Sequence, residues 1–439
     1  MEMLGSIGIL LVIAAFIYFV FKGYSILIVA PLSAAAIIVL NKMDFSTAMF
    51  SGSGSFAGGL GGFVTSFFII FVLGAILGKY LEDSGAAMSI AASVLKLTGK
   101  DNPYAILLAV AAIGAILTYG GVSVFIVIFT VVALARPLFK SLNIPWHLLL
   151  ASMVLGCASF TLCMLPGTPS VQNIIPTAAL GTTLTAAPVV GIVATLVTII
   201  FGLIYIKWQL KVAKAKGEVY ESAGPQSQAG SPDRELPSLA ISLTPMVILI
   251  AIIFIGSAMK ISNIIIPALL VAILVSMVLF NKYIPKQLAV LNSGAANAIG
   301  PVLFTAAAVG VGSVITAAPG FKAILSVLTS TPGGPMVEIA VVSGFMAAVT
   351  GSATGAIGIV MATFSQAWLA TGLAPEVIHR IAGIAACALS NVPQNGVIFA
   401  LMGITGLAYK DCFKHIFWIG LVGGTLSLIA AIITAGILY

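Results

Sequence analysis

LPGTPSVQN, residues 165–173, interrupts an otherwise apolar stretch of the chain. A bilayer core offers no water to an unpaired backbone group, so helix breakers are costly there. Pro166 and Pro169 lack amide donors, and Gly167 weakens any helix that continues through them. Thr168, Ser170, Gln172 and Asn173 flank them, uncharged and all able to hydrogen-bond. A hydrophobic protein tolerates such a segment where it is buried in protein or lines an aqueous cavity.

Composition puts the segment in lipid. Of 439 residues, 60% are hydrophobic and 7% charged, with mean hydropathy +1.20; a soluble domain carries roughly 25% charged residues. Apolar stretches close to the ~20 residues that span a bilayer recur along the chain, at 4–21, 24–40, 63–81, 182–206, 239–257, 261–280 and 413–438. The expected class is an all-α polytopic membrane protein. Glu2 opens the first stretch with no basic residues before it, so 4–21 reads as a retained span and not a cleaved signal. The net charge of +7 is no nucleic-acid signal, because charge crowds into one segment. Lys207, Lys211, Lys214 and Lys216 lead into ESAGPQSQAGSPDRELP, a linker composition that the positive-inside rule places in the cytoplasm.

That linker, 207–237, separates two transmembrane repeats, 1–206 and 238–439. SGSGSFAGG (51–59) is answered by NSGAANAIG (292–300), LEDSGAAMSI (81–90) by TAAPGFKAIL (316–325) and TYGGVSVF (118–125) by TGSATGAIGI (350–359). NIPWHLLLAS (143–152) pairs with LAPEVIHRIA (373–382), and LPGTPSVQN with SNVPQNG (390–396), all in the same order. With about seven segments per half, an odd number of crossings makes the repeats inverted in topology, the usual build of a secondary transporter. Paired, interrupted hydrophobic segments point to the binding site. Helix N-termini at such breaks suit a carboxylate. The candidate substrate-binding residues are therefore the amides of Gly120 and Gly121 and the side chains of Ser123, Thr168, Ser170, Gln172, Asn173, Ser352 and Thr354, with Ser390, Asn391, Gln394 and Asn395.

Other chemistries find little support. Cys157, Cys163, Cys387 and Cys412 lack metal or redox spacing and read as small buried hydrophobes. The glycine-rich GSGSFAGGLGG (52–62) has no phosphate-loop lysine, so it reads as close helix packing or an irregular crossing. Gly74 and Gly78 make one GxxxG, and Trp146, Trp208 and Trp418 read as an interfacial belt. No nucleophile–base pair or metal cluster suggests an enzyme, and neither a metal nor another cofactor is expected. Duplicated, non-identical halves favour alternating access over a channel's continuous pore.

The TYGGVSVF turn, LPGTPSVQNIIPT (165–177) and SNVPQNG resemble the gluconate permease family of bacterial symporters, over essentially the whole chain. The resemblance implies inverted repeats with re-entrant hairpins and broken helices, an elevator-type moving domain, and a homodimer in the bacterial cytoplasmic (inner) membrane. It also implies proton-coupled uptake of a small organic acid anion. Gluconate carriers place a Pro-Pro-His-Pro-Gly-Pro type of segment at the first break; residues 165–169 hold no histidine, which is similar to the branch for short hydroxy acids such as 3-hydroxybutyrate. The alternatives are a gluconate or other sugar-acid carrier, or a sodium-coupled carboxylate carrier. Moving one anion inward against 100 mV costs about 2.3 kcal/mol, which one co-transported cation cancels. The titratable candidates for proton coupling are His147, His379 and Glu376, beside Arg380; each sits near a proline helix start, where interfacial capping is the plainer reading. Sodium held by carbonyl, amide and hydroxyl oxygens stays open.

Overall fold

The computed structural model describes residues 2–22, 24–97, 102–122, 124–221, 235–259, 261, 263–321, 323–324, 326, 332–392, 395, 401, 405–407 and 409–439. Among these there is no strand. The first half runs α1 (Glu2–Phe21), α2 (Ile26–Leu40), α3 (Phe45–Phe50), α4 (Phe56–Asp83), α5 (Ala86–Leu97), α6 (Pro103–Tyr119) and α7 (Val124–Ser141), then α8 (Leu148–Cys157), the short α9 (Phe160–Cys163), α10 (Val171–Leu180) and α11 (Pro188–Ala215). The second runs α12 (Leu239–Ala258), α13 (Ile265–Leu279), α14 (Gln287–Ala317), α15 (Pro335–Thr350), α16 (Ala353–Leu369) and α17 (Pro375–Leu389). It closes with α18 (Tyr409–His415), a π-helical stretch (Ile416–Gly423) and α19 (Gly424–Leu438).

Five helices among the described residues are long and apolar enough to cross a bilayer: Phe56–Asp83, Pro188–Ala215, Leu239–Gly256, Gln287–Ala317 and Phe413–Leu438. Local chemistry sets their ends. Ser55 accepts the Gly58 amide at 2.9 Å to start α4. Pro103, Pro188, Pro335 and Pro375 sit in first turns, where a missing N–H leaves nothing unpaired. The stretch expected to span from residue 182 becomes helical only at Pro188, because the carbonyls of Leu184 and Ala186 turn inward as acceptors for Asn173 and Arg380. One face of α11 (Ile192, Leu196, Ile200, Ile204) stays exposed at four-residue spacing, as lipid contact requires.

The two long helices α4 and α14 pack along each other. A Cβ on Gly59 would lie 2.1 Å from Ser313 Oγ, and one on Gly294 2.7 Å from Ile76 Cα, so the pair runs antiparallel with glycines at its closest approaches. The 52–62 run therefore packs closely only in part, since Gly61 and Gly62 face open space. Gly74 of the GxxxG also meets nothing within 4 Å. Trp146 is not part of an interfacial belt: it is 2% exposed, and its Nε1 donates to the Thr405 carbonyl at 3.0 Å. Trp208 and Trp418 are exposed.

Loops and linker meet at one end. Lys282 bonds Glu235 at 2.6 Å, the Ser89 hydroxyl donates to the Pro237 carbonyl at 2.6 Å, and the Tyr220 amide donates to Asn143 Oδ1 at 2.8 Å. Helices α6 and α8, which carry two of the interruptions, cross where a Cβ on Gly156 would sit 2.1 Å from the Ala111 carbonyl oxygen. Gly156→Ala should therefore force α8 off α6 and cost about 1–3 kcal/mol. Gly74→Ala, with open space around it, should leave stability unchanged or raised. Thermal unfolding midpoints of the two variants in detergent check this; equal midpoints would rule out the tight crossing.

Candidate functional site

The segment between α8 and α10 is tied into a fixed shape by its own polar side chains. Thr168 is fully buried, and its hydroxyl donates to the Thr161 carbonyl at 2.6 Å. The Ser170 hydroxyl donates to the Leu162 carbonyl. Gly167, at φ +82°, takes the left-handed conformation that glycine adopts freely, and its amide donates to the Leu184 carbonyl at 3.0 Å. The Tyr119 hydroxyl closes the other side, donating to the Pro166 carbonyl at 2.8 Å.

Asn173 is the centre of this arrangement. Its Nδ2 donates to the carbonyls of Thr168 and Leu184, both at 2.9 Å. Its Oδ1 lies 2.9 Å from His379 Nε2 and 3.2 Å from Arg380 Nη1. An amide oxygen only accepts, so His379 carries its hydrogen on Nε2 and takes the Thr182 hydroxyl on Nδ1, at 2.7 Å. Arg380 is fully buried. Its Nη1 donates to the Cys163 carbonyl at 2.5 Å, and Nε and Nη2 donate to the Ala186 carbonyl at 3.0 and 2.6 Å. Among the described residues it forms no ion pair. A second-half cation thus braces the first-half break through neutral oxygens alone.

The hairpin turns approach from either side. The amides of Gly120 and Gly121, expected to meet an anion, are donated at 3.0 Å to the Ile116 and Thr118 carbonyls and close the last turn of α6. Met246 packs against Gly120 and Leu249 against Gly121. In the second half, Ser352 Oγ accepts the Gly355 amide at 3.1 Å and starts α16. Gln172 Nε2 then donates to Thr354 Oγ1 at 2.9 Å, which joins the first turn of α10 to the first turn of α16. Asn391 Nδ2 donates to the Cys387 carbonyl at 2.8 Å, and Asn395 Nδ2 to the Ser390 carbonyl at 2.8 Å. Ser123 and Gln394 lie outside the described residues. A cavity of about 460 Å³ opens over the break, bordered by Tyr119, Leu165, Pro166, Thr185 and Phe254.

A family profile described as GntP family permease matches residues 2–437. The chain belongs to this permease family. It is 31% identical over 455 residues to an uncharacterized transporter of Bacillus subtilis, YxjC, across 94% of this chain and 95% of that one. The fold is also similar to the crystal structure of the Alcanivorax borkumensis YdaH transporter, described as having an unusual topology. The TM-score is 0.58 at 14% identity, covering 86% of both chains. The protein is thus a multi-pass membrane transporter and not an enzyme.

Of the three titratable candidates, the permease brings only His379 to the break. Glu376 is exposed on the first turn of α17, an ordinary helix start. His147 lies at the linker end and makes no cap bond to α8; its ring nitrogens meet Glu218 and His415. His379, in turn, is buried and not interfacial. The sequence reading gave Arg380 no role of its own. Its signal was a lone basic residue five positions into an apolar helix that leads to a break.

Proposed function

We propose that this permease is a secondary active symporter that carries a short hydroxy-acid anion, such as 3-hydroxybutyrate, into the cell with protons. The observation that carries the reading is the Gln172–Thr354 bond of 2.9 Å, because it brings two helix N-termini from different halves together beside the breaks. Each N-terminus presents partial positive charge and amide donors. Arg380, buried and with no carboxylate partner among the described residues, adds a full charge behind them. The carboxylate sits between the first turns of α10 and α16, near Gln172, Ser352 and Thr354. Thr168, Ser170 and Asn173 hold the cradle from behind, Gly120 and Gly121 border it, and Asn391 and Asn395 flank its second-half side.

Inverted repeats moving as an elevator are supported by the antiparallel pairing of α4 and α14, the counterparts of the sequence alignment. The two hairpins add to this: α7 ends beside the linker, whereas α17, which follows α16, meets Thr182 before the opposite end of α11. The reading includes a cytoplasmic linker at 207–237, two repeats flanking it, a homodimer and a bacterial inner-membrane location. One proton per anion removes the 2.3 kcal/mol that 100 mV imposes, leaving the proton gradient to drive accumulation.

Uptake of labelled 3-hydroxybutyrate and gluconate into proteoliposomes, with pH and sodium gradients imposed separately, tests this. The expected result is saturable 3-hydroxybutyrate uptake driven by the pH gradient. Gluconate preference would overturn the short-acid reading, and sodium dependence the proton reading.

A further inference from the structure

At the linker end, four polar groups from four separate elements form one hydrogen-bonded chain. Glu218, at the start of the linker, lies 2.8 Å from His147 Nε2. His147 Nδ1 lies 3.0 Å from His415 Nε2, and His415 Nδ1 lies 3.1 Å from the Tyr205 hydroxyl. The two imidazoles lie nearly coplanar and edge to edge across this bond, 5.3 Å between centroids with 7° between planes. The outer pair is partly exposed and the inner pair buried: the Glu218 side chain is 34% exposed and His147 22%, while His415 is fully buried and Tyr205 is 4% exposed.

Donor rules fix the hydrogens. A carboxylate only accepts, so His147 carries a hydrogen on Nε2 and, when neutral, has a bare Nδ1. His415 Nε2 must then donate across the gap, and its Nδ1 accepts from Tyr205. Adding one proton preserves every bond: the hydrogen in the gap shifts to His147 Nδ1, while His415 takes the added proton on Nδ1 and donates to the Tyr205 oxygen. The resulting imidazolium lies against the Glu218 carboxylate. A second added proton would put two N–H groups into one 3.0 Å gap and set two cations edge to edge across it.

We propose that His147 and His415 form a shared proton-binding site that clasps α8 to α18 while it holds no more than one added proton, and opens on the second. The neighbouring charges suit this count. Lys216 Nζ lies 3.9 Å from Glu218 Oε1, Lys414 Nζ is held by Gln209 Oε1 at 2.8 Å, and Arg136 stacks over Trp146, 5.0 Å from the ring. No second carboxylate reaches either ring among these contacts. Since α8 leads directly into the broken segment, the clasp gives linker-side pH a mechanical connection to the transport site. The site rests on the transporter reading only for that last consequence, not for proton binding itself.

The chain has three histidines, so histidine-selective ¹⁵N NMR of the full-length protein resolves each by single glutamine substitution. The expected result is coupled, two-step titration of His147 and His415 with the steps well separated. In His415→Gln, His147 should collapse to one independent step. In Glu218→Gln, the first proton should bind about tenfold more weakly. An unchanged His379 signal shows that each variant is folded. If His147 titrates identically with and without His415, or if Glu218→Gln leaves it unmoved, the shared site is wrong. These readouts stand whether or not any acid is transported.

Discussion

Arg380→Met should abolish saturable anion uptake, and Arg380→Lys should raise KM by tenfold or more while leaving measurable turnover. The guanidinium supplies positive charge behind the joined N-termini of α10 and α16 and braces the carbonyls of Cys163 and Ala186. Methionine removes both. Each buried carbonyl left without a donor costs about 1–3 kcal/mol, so this variant also loses stability. Lysine keeps the charge, but three donors on one nitrogen cannot reproduce the planar fork that reaches Cys163, Ala186 and Asn173 together. The split between KM and maximal rate is the discriminating measurement, made on protein shown to reach the membrane. If Arg380 served packing alone, both variants would lower the amount of folded protein without shifting KM. An unchanged KM in Arg380→Lys would therefore remove the electrostatic role.

Much of this arrangement is legible in the sequence because membrane depth penalises irregular backbone so heavily. Pro166, Gly167 and Pro169 announce the first break, and the glycine and serine at 351–352 announce the second hairpin turn; both stand where expected. The function of the side chains inside the break is less visible. Thr168, Ser170 and Asn173 look like ligands in the sequence, yet the hydrogen bonds they donate go to backbone carbonyls in and around the break, those of Thr161, Leu162, Thr168 and Leu184. Composition cannot distinguish a side chain that meets a substrate from one that shapes the backbone around it. The contacts that join the halves, Gln172 to Thr354 and Asn173 to Arg380, span 182 and 207 positions along the chain. No local pattern encodes such pairings. His147 illustrates the same limit: its spacing matches His379, but tertiary packing gives it His415 and Glu218 as partners instead of the break.

Asn173→Asp should produce a transporter that is nearly inactive at neutral pH and partly restored in acid. Asn173 uses its amide in both senses, donating twice through Nδ2 and accepting His379 and Arg380 on Oδ1. An ionised aspartate keeps the accepting side but turns a second oxygen toward the Thr168 and Leu184 carbonyls, each 2.9 Å from the present nitrogen. Those contacts become repulsive. The new carboxylate also neutralises Arg380 internally, so an incoming anion gains less from it. Protonation reverses both effects, because the carboxylic acid again offers a hydrogen to one carbonyl and carries no charge. Uptake at equal imposed gradients, compared at acid and neutral external pH, should show at least a tenfold loss at neutral pH that narrows in acid. Asn173→Ala separates geometry from charge: it removes all four bonds and should stay inactive at both pH values. If the aspartate variant instead transports as well as the parent at neutral pH, Arg380 is not the charge an anion encounters, and the site lies elsewhere in the fold.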